Sequence, residues 1–219
     1  MSLAPVIPVL TIERIEDAVP LCKALFDGGL RVLEITLRTD VALAAIARVR
    51  EALPDAIVGA GTLTQARDFN AANSARAQFG VSPGLSGELI AAARTVQFPL
   101  LPGVMTPSEV ISARAAGFDA LKLFPAEQAG GVAMLRAIGA PLPDVVFCPT
   151  GGITRATAPD YLALSNVRCV GGSWVAPRTL IQRGDWKAIQ SLAADAFALR
   201  ASAIDRSMKN PAVATKTQE

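Results

Sequence analysis

Short apolar runs, each followed by a longer segment of helical periodicity, recur eight times along this chain of 219 residues. No other feature restricts its fold so tightly. The runs fall at 6–10, 31–37, 56–58, 77–81, 98–101, 120–124, 144–149 and 167–170. They are too continuously apolar for half-exposed antiparallel strands, and the helices between them supply the crossovers that parallel strands need. Eight such strands with helices outside them close, in this length, into an α/β, single-domain (β/α)8 TIM barrel. The open doubly wound sheet is the architectural rival, but no GxGxxG follows the first run. The barrel is expected to fill 1–204. The polar residues 205–219, with Pro211 among Lys, Thr and Gln, are expected to form a loose tail.

Capping residues punctuate the helices. Thr11 is placed to cap a first helix carrying Ile12, Ile15, Val19, Cys22 and Phe26, which Gly28 and Gly29 stop. Asp40, Ser86 and Asp185 are candidate caps of later helices. Thr106 and Glu109, with Pro107 at the first helical position, make a capping box.

Composition narrows the chemistry. The chain has no histidine, so acid–base work near neutrality falls to Glu, Asp, Lys, Cys or the single Tyr161. Imidazole-held zinc is excluded, and Cys22, Cys148 and Cys169 make no CxxC pair, whereas carboxylate-held magnesium stays open. A formal charge of +2 gives no general basic field for nucleic acid. No apolar run reaches membrane-spanning length, and the N-terminus lacks a charged region followed by a long apolar core. Reduced thiols and a cytoplasmic location are expected.

Lys122 is the one lysine flanked by residues that belong in a core. Lys23, Lys187, Lys209 and Lys216 lie in polar or helical surroundings. Period two puts Leu121 and Leu123 on one face of the strand and Lys122 on the other. An ammonium there loses solvation, which favours the neutral, nucleophilic amine. The second run has the same alternation: Leu33, Ile35 and Leu37 face the helices, so Glu34, Thr36 and Arg38 face the barrel axis. Glu34 and Lys122 are therefore expected to meet inside the barrel, either as a structural ion pair or as an amine with its proton shuttle.

The strand ends carry further candidates. Gly151 and Gly152, and Gly171 and Gly172 with Ser173, follow the last two strands, where barrels often hold an anion. Arg38 can add charge and Ser173 a hydroxyl. Thr62 either donates to a substrate carboxylate or merely caps a tight turn. Pro83 lies in a small-residue loop, and Phe124 is expected to keep the lysine's pocket dry. Glu127 and Trp174 stay open, as outer support of the site or as helix start and packing residue.

Six segments, in order, then make a specific pattern: LEITLRT at 33–39, GAGT at 59–62, SPG at 82–84, LKLFPAE at 121–127, CPTGGI at 148–153 and GGSW at 171–174. Over nearly its whole length the chain resembles the 2-keto-3-deoxy-6-phosphogluconate (KDPG) aldolase family of class I, Schiff-base aldolases. The resemblance implies that Lys122 forms the imine with the substrate keto carbon and that Glu34 is the general acid–base. It implies that Arg38 positions substrate and that Thr62 and Pro83 line the site near the pyruvyl carboxylate. Gly151, Gly152, Gly172 and Ser173 would hold the phosphate. The implied reaction is cleavage of 2-dehydro-3-deoxy-6-phospho-D-gluconate to pyruvate and D-glyceraldehyde 3-phosphate in the Entner–Doudoroff pathway. No metal or cofactor is implied, and a homotrimer is. The alternatives are a sister aldolase acting on the galactonate epimer or on 4-hydroxy-2-oxoglutarate, a phosphosugar isomerase using Glu34 as base, and a barrel that only binds a phosphorylated metabolite.

Overall fold

The computed structural model describes residues 4–209, with side chains up to residue 199. Its first strand, β1 (Val6–Leu10), leads through a 3-10 turn at Ile15–Asp17 into α1 (Ala18–Asp27). Then follow β2 (Val32–Thr36), α2 (Ala42–Ala52), β3 (Ile57–Gly61), α3 (Ala66–Ser74), β4 (Gly80–Val81) and α4 (Gly87–Thr95). The fifth barrel strand comes in two pieces, β5 (Leu100–Leu101) and β6 (Gly103–Val104), and leads to α5 (Pro107–Ala115). The lysine strand is β7 (Ala120–Leu123), followed by α6 (Gly131–Gly139), β8 (Val146–Phe147), α7 (Ala158–Leu162) and β9 (Val170–Gly172). Two helices end the described residues, α8 (Arg178–Arg183) and α9 (Trp186–Lys209).

Every strand pair is parallel. One row runs β5-β4-β3-β2-β1-β9 and the other β6-β7-β8. Bridges from Phe147 to Val167 and from Thr150 to Gly171 join β8 to the β9 strand. At the other seam Pro102, which has no N–H, interrupts the fifth strand, but its carbonyl still accepts from Lys122 N at 2.8 Å. The ring is thereby closed, as the eightfold repeat predicts.

Two apolar layers follow from the alternation. Leu33 and Ile35 of β2 and Leu121 and Leu123 of β7 face the helices in the larger core. On the axis, Ile7, Val32, Ile57, Phe79, Leu101, Cys148 and Cys169 pack into a separate cluster, the floor of the barrel. Gly59 lies under the Phe79 ring, where a Cβ would collide with it. α9 closes the outer layer: its Ala193 and the Gln190 carbonyl press on Gly28, leaving no room for a side chain there.

Several local expectations change. Thr11 does not start the first helix, which begins only after the 3-10 turn. Its hydroxyl lies 3.2 Å from that of Thr36. Asp40 caps nothing, because α2 starts from Val41 without a side-chain cap. Ser86 accepts from Leu89 N at 3.3 Å, the Thr106–Glu109 box forms, and Asp185 accepts from Ala188 N at 3.0 Å. The expected tail begins too early: α9 runs on through Lys209, and 210–219 lie outside the described residues.

Candidate active site

The site starts from two residues that the strand pleat turns inward. Glu34, Thr36 and Lys122 are all buried on the axis. Lys122 Nζ donates to Glu34 Oε1 at 3.4 Å, with the two side chains 6% and 4% exposed. That distance is at the long end of hydrogen bonding, so the amine is oriented without being locked. A buried ion pair adds little net stability compared with hydrocarbon of the same volume. Its presence directly above an apolar floor therefore points to chemistry.

Room for the pair comes from glycine. A Cβ on Gly61 would overlap the Glu34 carboxylate, and one on Gly171 would overlap the Thr150 side chain. Phe124 lies beside the lysine, with Nζ 5.1 Å from the ring centroid, within cation–π range. Below, Cys148 is buried just after β8 and next to the Lys122 strand, its N–H donating to the Leu121 carbonyl at 2.8 Å. A hydrogen bond from the Cys169 thiol lowers the Cys148 thiol from its ordinary value, and the Lys122 charge adds to the effect. The same contact and burial push Cys169 well up.

Around the mouth, Arg38 Nε donates to Thr62 Oγ1 at 3.2 Å. Thr62 has φ +66°, left-handed backbone that a β-branched residue enters only under strain, and such strain gathers at functional sites. Thr36 Oγ1 donates to the Leu10 carbonyl at 2.8 Å. Pro83 is half-buried, and its backbone presses on Gly103, where no Cβ fits.

The loops after β7 and β8 are stitched together. Ala126 N and Glu127 N donate to the carbonyls of Thr150 and Gly151 at 2.8 and 3.1 Å. Gly151 and Gly152 take φ of +105° and +77°, and the Glu127 side chain packs directly on Gly152. Gly171 N is committed to the Pro149 carbonyl at 2.9 Å, and the Trp174 ring covers Gly172. Ser173 is exposed and lines a cavity of about 470 Å³ at the carboxyl ends of β1 and β9. The cavity reaches inward to Val9, the register partner of Glu34. Among the described residues no group of three His, Cys, Asp or Glu side chains is placed to hold a metal ion.

A buried amine beside a carboxylate, on the axis at the carboxyl end of a parallel barrel, is equipped for carbonyl addition with proton transfer. The family model described as "Aldolase: KDPG and KHG aldolase" matches residues 1–192. The chain belongs to the KDPG and KHG aldolase family.

The 2-dehydro-3-deoxy-phosphogluconate aldolase of Pseudoalteromonas atlantica is 47% identical over 197 residues, covering 90% of this chain and 92% of that one. The KDPG aldolase of Legionella pneumophila, solved with pyruvate captured at low pH as a covalent carbinolamine, superposes with a TM-score of 0.88. It is 44% identical over 90% of this chain and 95% of its own. The enzyme of Zymomonas mobilis ZM4, solved with 3-phosphoglycerate, gives a TM-score of 0.86 at 45% identity, over 90% and 93% of the two chains.

Within this KDPG and KHG aldolase fold, the sequence-derived candidates divide into two groups. Lys122, Glu34 and Phe124 meet at the centre, and Arg38 with Thr62 stands at one side of the mouth. Gly151, Gly152, Gly172 and Ser173 follow the last two strands, with Gly172 shielded by tryptophan. Three buried polar residues stand at strand ends, Thr36, Ser82 and Thr150; the alternation turns Thr36 inward without assigning it to the site, and Ser82 and Thr150 are not among the candidates. Each is a hydroxyl at a strand end, above an axis floor of hydrocarbon and thiol.

Proposed function

We propose that this member of the KDPG and KHG aldolase family cleaves 2-dehydro-3-deoxy-6-phospho-D-gluconate to pyruvate and D-glyceraldehyde 3-phosphate. The observation that carries the reading is the buried Lys122–Glu34 contact at 3.4 Å. The carbinolamine trapped in the Legionella relative supports it.

In this mechanism Lys122 passes a proton to Glu34 and its neutral amine adds to the keto carbon. Glu34 returns that proton to the carbinolamine hydroxyl, which leaves as water, so that a protonated imine and the Glu34 carboxylate remain. Glu34, directly or through one water, takes the proton of the C4 hydroxyl as the C3–C4 bond breaks. The bonding electrons pass into the imine to give an enamine, and D-glyceraldehyde 3-phosphate departs. Protonation of the enamine and hydrolysis of the imine then release pyruvate and restore the amine. Phe124 keeps water from the amine. Arg38 orients the substrate, and Thr62 and Pro83 flank the pyruvyl carboxylate. The loops bearing Gly151, Gly152, Gly172 and Ser173 receive the phosphate, whose remote binding energy serves orientation at the reacting carbons. The barrel as one catalytic domain, a homotrimeric assembly and a cytoplasmic location, where three buried free cysteines stay reduced, complete the reading.

Pyruvate release from the phosphogluconate substrate, coupled to lactate dehydrogenase, tests it. The parent should turn over and Lys122→Met should fall by at least about 10⁴. Turnover of the galactonate epimer or of 4-hydroxy-2-oxoglutarate with a higher kcat/KM would reassign the substrate. No release from any of the three would end the aldolase reading.

A further inference from the structure

The cavity between the β1 and β9 ends contains an unassigned cation. Two arginines line it, Arg14 and Arg178, and two carboxylates, Glu13 and Asp17. Arg14 is held twice, by Glu16 at 3.1 Å and by the buried Asp17 at 3.2 Å. Among the described residues Arg178 has one anionic partner, Glu13, at 3.0 Å, and the pair is 72% and 48% exposed. A solvent-screened pair of that kind is weak and exchanges easily, and a guanidinium holding one carboxylate keeps further N–H donors free.

The candidate phosphate residue Ser173 opens on this same cavity. Gly171 N–H is committed to strand pairing and has nothing left for a dianion, to which a guanidinium on the same cavity can donate. Arg38 is engaged with Thr62, at the carboxyl end of β3. We infer that Arg178 is a phosphate-binding, specificity-determining residue: the incoming phosphate displaces Glu13, and the guanidinium passes from the protein carboxylate to the substrate. Glu13 thereby acts as a stand-in anion that competes with substrate.

This inference rests on the reading of the chain as an aldolase for a phosphorylated substrate. It predicts opposite signs for two changes that break the same ion pair. Arg178→Ala should lower kcat/KM for the phosphorylated keto-deoxy sugar acid about tenfold and leave kcat/KM for the unphosphorylated counterpart unmoved. Glu13→Gln should raise kcat/KM for the phosphorylated substrate about threefold, by removing the competitor. Arg178→Lys keeps the charge and should fall between the parent and Arg178→Ala. Circular dichroism and thermal midpoints establish that each variant is folded. If Arg178→Ala does not fold, the Glu13→Gln and Arg178→Lys shifts decide. An unchanged kcat/KM for the phosphorylated substrate in Arg178→Ala overturns the inference. So do Glu13→Gln and Arg178→Ala shifts of the same sign on both substrates, the mark of a strap that only ties the two loops. A parent that releases no pyruvate fails the underlying reading as well, whereas a parent that turns over beside such variants fails this inference alone.

Discussion

Replacing Gly61 by alanine tests how the site is held open. Gly61 is the last residue of β3, and its backbone does not lie in the left-handed region, so alanine is conformationally acceptable there. The obstacle is Glu34: a Cβ at Gly61 would lie 2.7 Å from its Cγ and 2.8 Å from its Cδ, and closer still to Oε1. Contacts of that length are not sustained, so the carboxylate must leave its place beside Lys122. Strain of this kind costs about 1–3 kcal/mol, which lowers Tm by about 2–12 °C in a chain of this size. The functional loss should be larger. Misplacing a general acid–base removes about 10²–10⁴ in rate, equivalent to about 3–5 kcal/mol of transition-state stabilisation. Steady-state kcat on the phosphorylated substrate measures it, and Glu34→Gln provides the second corner of a cycle. Because both changes act through one carboxylate, the double variant should be no slower than Glu34→Gln alone. A folded Gly61→Ala enzyme with kcat within about threefold of the parent would refute the steric account, as would full additivity of the two losses.

Two further predictions concern titration. Burial pushes the Cys22 thiol from 9.0 up to about 12, so its contribution to stability is complete below pH 9 and is lost as pH rises from 9 to 12. Between about pH 8 and about pH 10.5, urea unfolding of Cys22→Ala should lose about 2 kcal/mol less than the parent, and parallel pH profiles would contradict this. Glu109 accepts from Met105 N at 2.7 Å and Thr106 N at 2.8 Å, which holds its carboxyl below the ordinary 4.5. Its contribution is present above pH 4.5 and is lost as pH falls through the lower folded value. Glu109→Gln should therefore cost about 1 kcal/mol or less at neutral pH, a deficit that shrinks towards about pH 3. A deficit constant with pH would show that the charge is irrelevant to the cap.

The central pair was legible because its signal is local. In 33–37 and 121–123 a strict period of two sends the leucines and Ile35 outward and leaves Glu34 and Lys122 nowhere but the axis. The eight strands could be counted for the same reason, but their ends could not be fixed. GAGT at 59–62 reads as a loop, yet Gly59 and Gly61 are inside β3, because Phe79 and Glu34 from neighbouring strands need the space. Nothing within GAGT encodes that demand. Thr11 has the chemistry of a cap, but its hydroxyl meets Thr36, 25 residues away. Pro102 announces a break without showing that the strand resumes at Gly103. The Glu13–Arg178 pair spans 165 positions of sequence, and the cavity it borders exists only once β1 and β9 are neighbours.

The most direct test of the account is borohydride trapping. The protein is incubated with pyruvate, reduced, digested, and the adduct located by mass spectrometry. A reduced pyruvyl adduct on Lys122, abolished in Lys122→Met, is the predicted result. With folded protein at saturating pyruvate, an adduct on another lysine, or none above a control without borohydride, would contradict the account. Lys122 and Glu34 would then be a buried ion pair and nothing more.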